Sequence, residues 1–247
     1  MTDNERIAAL LEEAILILRG TEVASEPETK DASFAFAEYG RFYDHFRAPG
    51  KILGPKISEQ EFLGCDSIIR ACAVAKWPLS YTAYALGTAY HETAAEMQPI
   101  KERGGAAYHK RMYDIQGARP KMARDHGNTT PGDGVRYPGR GYVQLTWKVN
   151  YERATAKLRA LGVHADLVTE PDRAMEPEIA ALVMVHGMAE GWFTGRKLSD
   201  TLPASGAASL GQFKKSRSII NGTDKDDEIA EFAFEFQLGL HRGGYRL

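Results

Sequence analysis

Glu92 ends a stretch rich in Ala and Tyr, and Glu102 follows ten positions later at the entrance to a glycine-rich segment. A carboxyl group among apolar side chains is expected to be partly desolvated, which favours its protonated form and suits a general acid. A carboxylate in a more solvated segment stays ionised and can activate water. Two carboxyl groups in different environments are the minimum equipment for hydrolysing a glycosidic bond. The chain holds 33 Asp and Glu, so spacing alone does not separate such a pair from solvated surface.

Other chemistries can be set aside. His91-Glu92 opens like the zinc-protease pattern H-E-x-x-H, but Ala95 stands where the second histidine ligand is needed. The remaining histidines are scattered without metal-ligand spacing, and Cys65 and Cys72 form no C-x-x-C. There is no phosphate-binding glycine loop and no G-x-S-x-G elbow. Neither a metal nor a cofactor is expected.

The segment from Tyr137 to Tyr151 is dense in glycine, aromatic and hydrogen-bonding side chains, among them Tyr142, Gln144, Thr146, Trp147 and Asn150. Sugars are bound by that combination, through amide and hydroxyl hydrogen bonds and apolar stacking on the ring faces. Composition alone fits a structural hairpin equally well.

The elements that must position these groups read as mainly helical. Apolar spacing predicts helices over 5–19 and 32–46, separated by a polar loop, and Ser58 with Glu61 can cap another carrying Phe62, Ile68, Ile69 and Cys72. Pro78 and Ser80 signal the start of the helix that ends at Glu92. Residues 99–138 lose helical periodicity and accumulate glycine and proline, which reads as a long loop or hairpin. Helices resume over 151–161, 177–187 and 227–240. The outline is a mainly α fold of two helical lobes flanking a substrate cleft, with an irregular glycine-rich middle.

The 247 residues are 43% hydrophobic, ordinary for a globular protein, and a formal net charge of -2 gives no global field for nucleic acid or an anionic membrane. Cys65 and Cys72 lie two helical turns apart, too far for a disulfide between helical neighbours, and read as buried thiols. The N-terminus has no basic patch before an apolar core, so neither a signal peptide nor a membrane anchor is expected. A cytoplasmic protein follows.

Three segments, in order, resemble the family-19 glycoside hydrolases, which include chitinases and phage endolysins: Ala89-Tyr90-His91-Glu92-Thr93, Lys101-Glu102-Arg103-Gly104, and Gly139-Arg140-Gly141-Tyr142-Val143-Gln144-Leu145-Thr146-Trp147. A fourth, Ile219-Ile220-Asn221-Gly222, resembles the family's late substrate-binding segment. The resemblance covers roughly residues 58–240. It implies a lysozyme-like α+β catalytic domain, with residues 1–50 an extension of unmatched role. It implies Glu92 as general acid, Glu102 as general base, Thr146 holding the attacking water, and Gln144, Asn150 and Asn221 binding sugar. Tyr142 and His91 complete the expected substrate-binding set, His91 more as a packed neighbour of the acid than as a proton carrier. Arg140 is expected to anchor the signature loop through a carboxylate.

The sequence departs from the plant pattern over Tyr108–Asp133, and the family's C-terminal arginine has no secure counterpart. The short middle and the lack of a Cys-rich chitin-binding module favour peptidoglycan over chitin, hence an endolysin. Delivery to the wall would then require a holin-like pore. A monomer is expected, since a polymer-degrading cleft needs no partner subunit. A non-catalytic wall-binding protein and a lytic transglycosylase are the competing readings.

Overall fold

The computed structural model describes residues 39–48, 50–220, 222 and 224–245. The helix expected over 5–19, the loop after it, the start of the helix expected over 32–46, and Asn221 lie outside the described residues. The remainder is mainly helical, as the sequence leads one to expect.

Helix α1 (Tyr39–Phe46) leads to α2 (Glu59–Val74) and α3 (Leu79–Glu92). The Ser58 capping box forms: Glu61 N–H donates to Ser58 Oγ at 3.1 Å, and the Ser58 amide returns a bond to Glu61 Oε2 at 2.7 Å. Two backbone donors that would otherwise be orphaned at the helix start are thereby satisfied. Helix α3 runs through the middle of the main hydrophobic cluster, packed chiefly on the last helix, α10 (Asp226–Arg242). The close approach needs Gly87, since a Cβ there would lie 2.6 Å from the Ala233 nitrogen.

Residues 99–138 are not the loop or hairpin expected. Strand β1 (Ile100–Lys101) pairs antiparallel with β2 (Arg140–Gly141), and between them lie three short helices: α4 (Gly105–Tyr113), α5 (Pro120–Asp125) and α6 (Asp133–Arg136). These helices show little apolar periodicity because few of their residues are buried; buried Asp114 instead ties the end of α4 to the start of α6. Its carboxylate accepts the amides of Gln116, Gly132 and Gly134 at 3.0, 2.8 and 3.1 Å. Burial pushes the Asp114 carboxyl upward, but those amides outweigh it and hold it below the usual carboxylate range. Gly134 is required, because a Cβ would meet the Asp114 nitrogen at 2.4 Å.

After β2 come α7 (Lys148–Ala160), α8 (Pro177–Glu190) and α9 (Leu210–Ser216). Helix α8 is apolar nearly all round because it serves two cores. Ala181, Met184, Val185 and Met188 join the main cluster, while Ile179 and Val183 join a second one built on Tyr137, Leu145, Tyr151 and Leu158. Each such fully buried large side chain contributes about 1.5–3 kcal/mol relative to exposure. Cys65 and Cys72 are buried free thiols on α2. No described helix is long and apolar enough to cross a membrane.

Candidate active site

Glu92 is the last residue of α3, and the chain turns sharply after it. Thr93, buried, donates its hydroxyl to the Ala89 carbonyl at 2.8 Å and accepts the Met97 amide at 3.0 Å. The turn so clamped places Ala94, Ala95 and Met97 at φ of 53, 72 and 52°, in the left-handed region that L residues seldom occupy. Helix α2 makes room for it with Gly64, where a Cβ would stand 1.7 Å from the Met97 carbonyl oxygen. The helix end that carries Glu92 is thus fixed by packing rather than by a C-terminal glycine.

The carboxyl of Glu92 meets a cation. Arg217, whose side chain is 4% exposed against 20% for Glu92, donates from Nη1 to Glu92 Oε1 at 2.8 Å and from Nε to the Asp224 carbonyl at 2.9 Å. Helix α3 also steadies this partner, for the Tyr84 hydroxyl donates to the Ser216 carbonyl at 2.7 Å. Arg217 was not anticipated; its one sequence signal is its place just before Ile219-Ile220-Asn221-Gly222. His91 sits beside the acid, with Nδ1 3.8 Å from Glu228 Oε1.

Glu102 continues the β1–β2 pairing by one residue. Its amide donates to the Gly139 carbonyl at 2.8 Å, and the Gly139 amide donates to Glu102 Oε2 at 3.0 Å. Oε1 accepts the Tyr113 hydroxyl at 2.6 Å. Tyr113 was likewise missed, because its contact with Glu102 arises from the folding back of α4.

The signature segment is a tight loop, closed by paired backbone bonds between Arg140 and Leu145 at 2.8 and 3.2 Å. Gly139 leaves room for Gln144, whose Oε1 a Cβ would approach to 2.6 Å, and Gly141 takes φ 86°. Gln144 Nε2 donates to the Ile100 carbonyl at 3.1 Å, tying the loop to β1 beside Glu102. Thr146 donates its hydroxyl to the Gln144 carbonyl at 2.7 Å, and Asn150 Nδ2 donates to the Thr146 carbonyl at 2.9 Å. Glu102, Gln144, Thr146 and Asn150 are therefore brought into one bonded neighbourhood, all half-buried.

Tyr142 is a correction. It is 0% exposed, with its hydroxyl 3.2 Å from Ser67 Oγ, so it packs beneath the loop in the main core and presents no surface to a ligand. Arg140 anchors the loop as expected: it is buried, with Nε on Asp172 at 2.7 Å and Nη1 on the Tyr151 hydroxyl at 2.8 Å. Trp147 is half-buried rather than core, edge-on to Tyr113 at 4.9 Å between centroids and against His126 at 4.8 Å. Among the described residues no group of three or more His, Cys, Asp or Glu is placed to hold a metal ion.

No family model and no curated protein sequence matches the chain. Solved structures do. Chitinase C from Streptomyces griseus HUT6037 aligns at a TM-score of 0.53 and 20% identity, over 87% of this chain and 83% of that one. A point mutant of chitinase C aligns at 0.53 and 19% identity, over 86% and 95%. The chain has the chitinase C fold.

Proposed function

We propose that this protein is a family-19-type glycoside hydrolase that cuts β-1,4-linked, N-acetylglucosamine-containing glycan with inversion, and that its substrate is bacterial peptidoglycan, as for an endolysin delivered through a holin-like pore. The observation that carries the reading is that two carboxyls are each held by their own donors in a chitinase-like fold. Glu92 has one guanidinium on Oε1, while Glu102 accepts a phenol and a backbone amide. The two donors fix the Glu102 carboxyl in one orientation, as a general base that aims a water needs. Arg217 occupies Oε1 of Glu92, so the proton of a general acid belongs on Oε2.

Thr146 uses its own proton on the Gln144 carbonyl, which leaves its lone pairs to accept from water. A water held between Thr146 and Glu102 has both protons engaged and turns a lone pair toward the anomeric carbon. The C1–O bond breaks, its oxygen takes the Glu92 proton, the water oxygen bonds C1, and Glu102 receives the water proton. Inversion requires about 6.5–9.5 Å between the carboxyl groups to admit that water.

Chitin hydrolysis is the second reading, favoured by the chitinase names of the structural neighbours; the same acid, base and water serve it. The test is to incubate wild type and Glu92→Gln with purified peptidoglycan and with colloidal chitin and to read soluble products by mass spectrometry. Hydrated muropeptides from wild type, with at least about a hundredfold loss in the variant, are expected. Cleavage of chitin alone selects the second reading. Products lighter by one water mean a transglycosylase, and no cleavage of either polymer rejects an enzyme.

A further inference from the structure

Just past Glu102 the surface becomes strongly cationic. From Arg103 to Asp125 the sequence carries Arg103, Lys110, Arg111, Arg119, Lys121 and Arg124 against Asp114 and Asp125, in a chain whose formal net charge is -2. The two carboxylates offset only part of this charge. Asp114 is buried on backbone amides, and Asp125 is already paired with Lys121 at 2.6 Å. Arg103, Lys110, Arg111 and Arg124 are exposed and form no ion pair with a described residue.

Two of the cations adjoin the candidate base. Arg103 is the next residue, and the Arg119 guanidinium lies 5.8 Å from the centroid of the Tyr113 ring whose hydroxyl holds Glu102. Helices α4 and α5 are locked together behind them: Arg119 Nε donates to the Met112 carbonyl at 3.1 Å, and Gly117 comes so near that a Cβ would stand 2.4 Å from the Lys110 carbonyl oxygen. The backbone that carries the charges on α4 and at the start of α5 is therefore held together.

Such a surface concentrates anions and is indifferent to a neutral polymer. Chitin is uncharged, whereas the peptide stems of peptidoglycan carry free carboxylates along the glycan. We propose that the Arg103–Arg124 surface binds stem-peptide carboxylates, and so selects the anionic wall glycan over chitin; this rests on the glycosidase reading given above.

The test measures binding to Gram-negative sacculi, to the same sacculi stripped of stem peptides by an amidase, and to chitin. It uses the full chain in a Glu102→Gln background that stops turnover, with and without Lys110→Gln, Arg111→Gln and Arg124→Gln together. An exposed ion pair is worth up to about fivefold in affinity, so the triple change should weaken binding to intact sacculi by roughly threefold to a hundredfold. Its affinity should fall to the level of stripped glycan. The parent should prefer intact to stripped sacculi by a similar factor, and lose that preference as salt rises. Equal binding of the parent to intact and stripped sacculi overturns the proposal, and that comparison decides even where the triple variant fails to fold. Undiminished binding by a folded triple variant also overturns it, as does displacement from sacculi by substoichiometric duplex DNA. Stem-dependent binding without cleavage by wild type would instead refute the glycosidase reading and leave the surface standing.

Discussion

The Tyr113 hydroxyl donates to Glu102 Oε1 at 2.6 Å. Burial first, and then the Glu102 carboxylate, push the phenol well above its ordinary range, so it remains a neutral donor. Tyr113 is itself held from behind, for Asn128 donates to its carbonyl at 2.9 Å and also accepts the Lys148 amide at 3.0 Å, serving the start of α7. Trp147, edge-on to the Tyr113 ring, sits at φ 75°, a conformation costly for a large side chain and held by its amide bond to the Tyr137 carbonyl at 3.1 Å. Placement of the candidate base thus depends on residues on both sides of the signature segment.

Tyr113→Phe removes one hydrogen bond to a charged group, worth about 1.5–3 kcal/mol. If Glu102 is the base proposed above, the bond orients it rather than the sugar, and kcat on the cleaved glycan should fall by roughly ten- to a hundredfold with KM little changed. Steady-state kinetics decide this, and a rise in KM with kcat intact would place Tyr113 on the substrate instead.

Arg217→Ala strips the guanidinium from Glu92 and leaves the carboxylate partly buried. Breaking a buried pair costs about 3–5 kcal/mol; Glu92 keeps 20% exposure, so the loss in urea unfolding should lie toward the lower end. Arg217→Lys restores the charge but cannot reach both Glu92 and the Asp224 carbonyl, and should recover only part of the stability. Full recovery by lysine would show that charge alone matters.

Gly64→Ala tests the turn behind the acid. Alanine is favoured over glycine in a helix by about 1 kcal/mol, but its Cβ would meet the Met97 carbonyl oxygen at 1.7 Å, and overpacking typically costs about 1–3 kcal/mol or more. The clash should win, lowering both the thermal transition and the activity as the turn shifts with Glu92. A variant as stable as wild type would contradict the packing described.

What the sequence made legible was what repeats locally. The Ser58–Glu61 capping box and the helix ending at Glu92 follow from residue types within a few positions of one another, while the Arg140 anchor was expected from the signature segment, though its carboxylate, Asp172, lies far along the chain. Helices α4, α5 and α6 escaped because few of their residues are buried and α4 is joined to α6 by Asp114 reaching amides up to twenty positions away, while glycines such as Gly134, needed for close approach, read as loop. Tyr142 was misjudged because an aromatic in a sugar-binding composition and one packed under it look alike until burial is known. Arg217 and Tyr113 meet their carboxylates only through the tertiary fold.

Asp114 gives a pH dependence. Its folded carboxyl is depressed, so its contribution is present above the unfolded value of about 3.9 and is lost as pH falls through the lower folded value. Asp114→Asn keeps only one acceptor oxygen, so its NH2 group is turned either toward the Gln116 amide or toward the Gly132 and Gly134 amides, which share Oδ2. It should cost about 1–3 kcal/mol at pH 7. Urea unfolding at about pH 3 should show a smaller gap between wild type and variant; an unchanged gap would mean the carboxylate charge is not what the amides require.

The most direct measurement is the anomeric configuration of the first product released from solubilised peptidoglycan strands, followed by proton NMR before mutarotation. A single displacement by water held at Glu102, with Glu92 as acid, predicts the α anomer from a β-linked glycan. A β anomer, or an anhydro end, would contradict the account of the two glutamates.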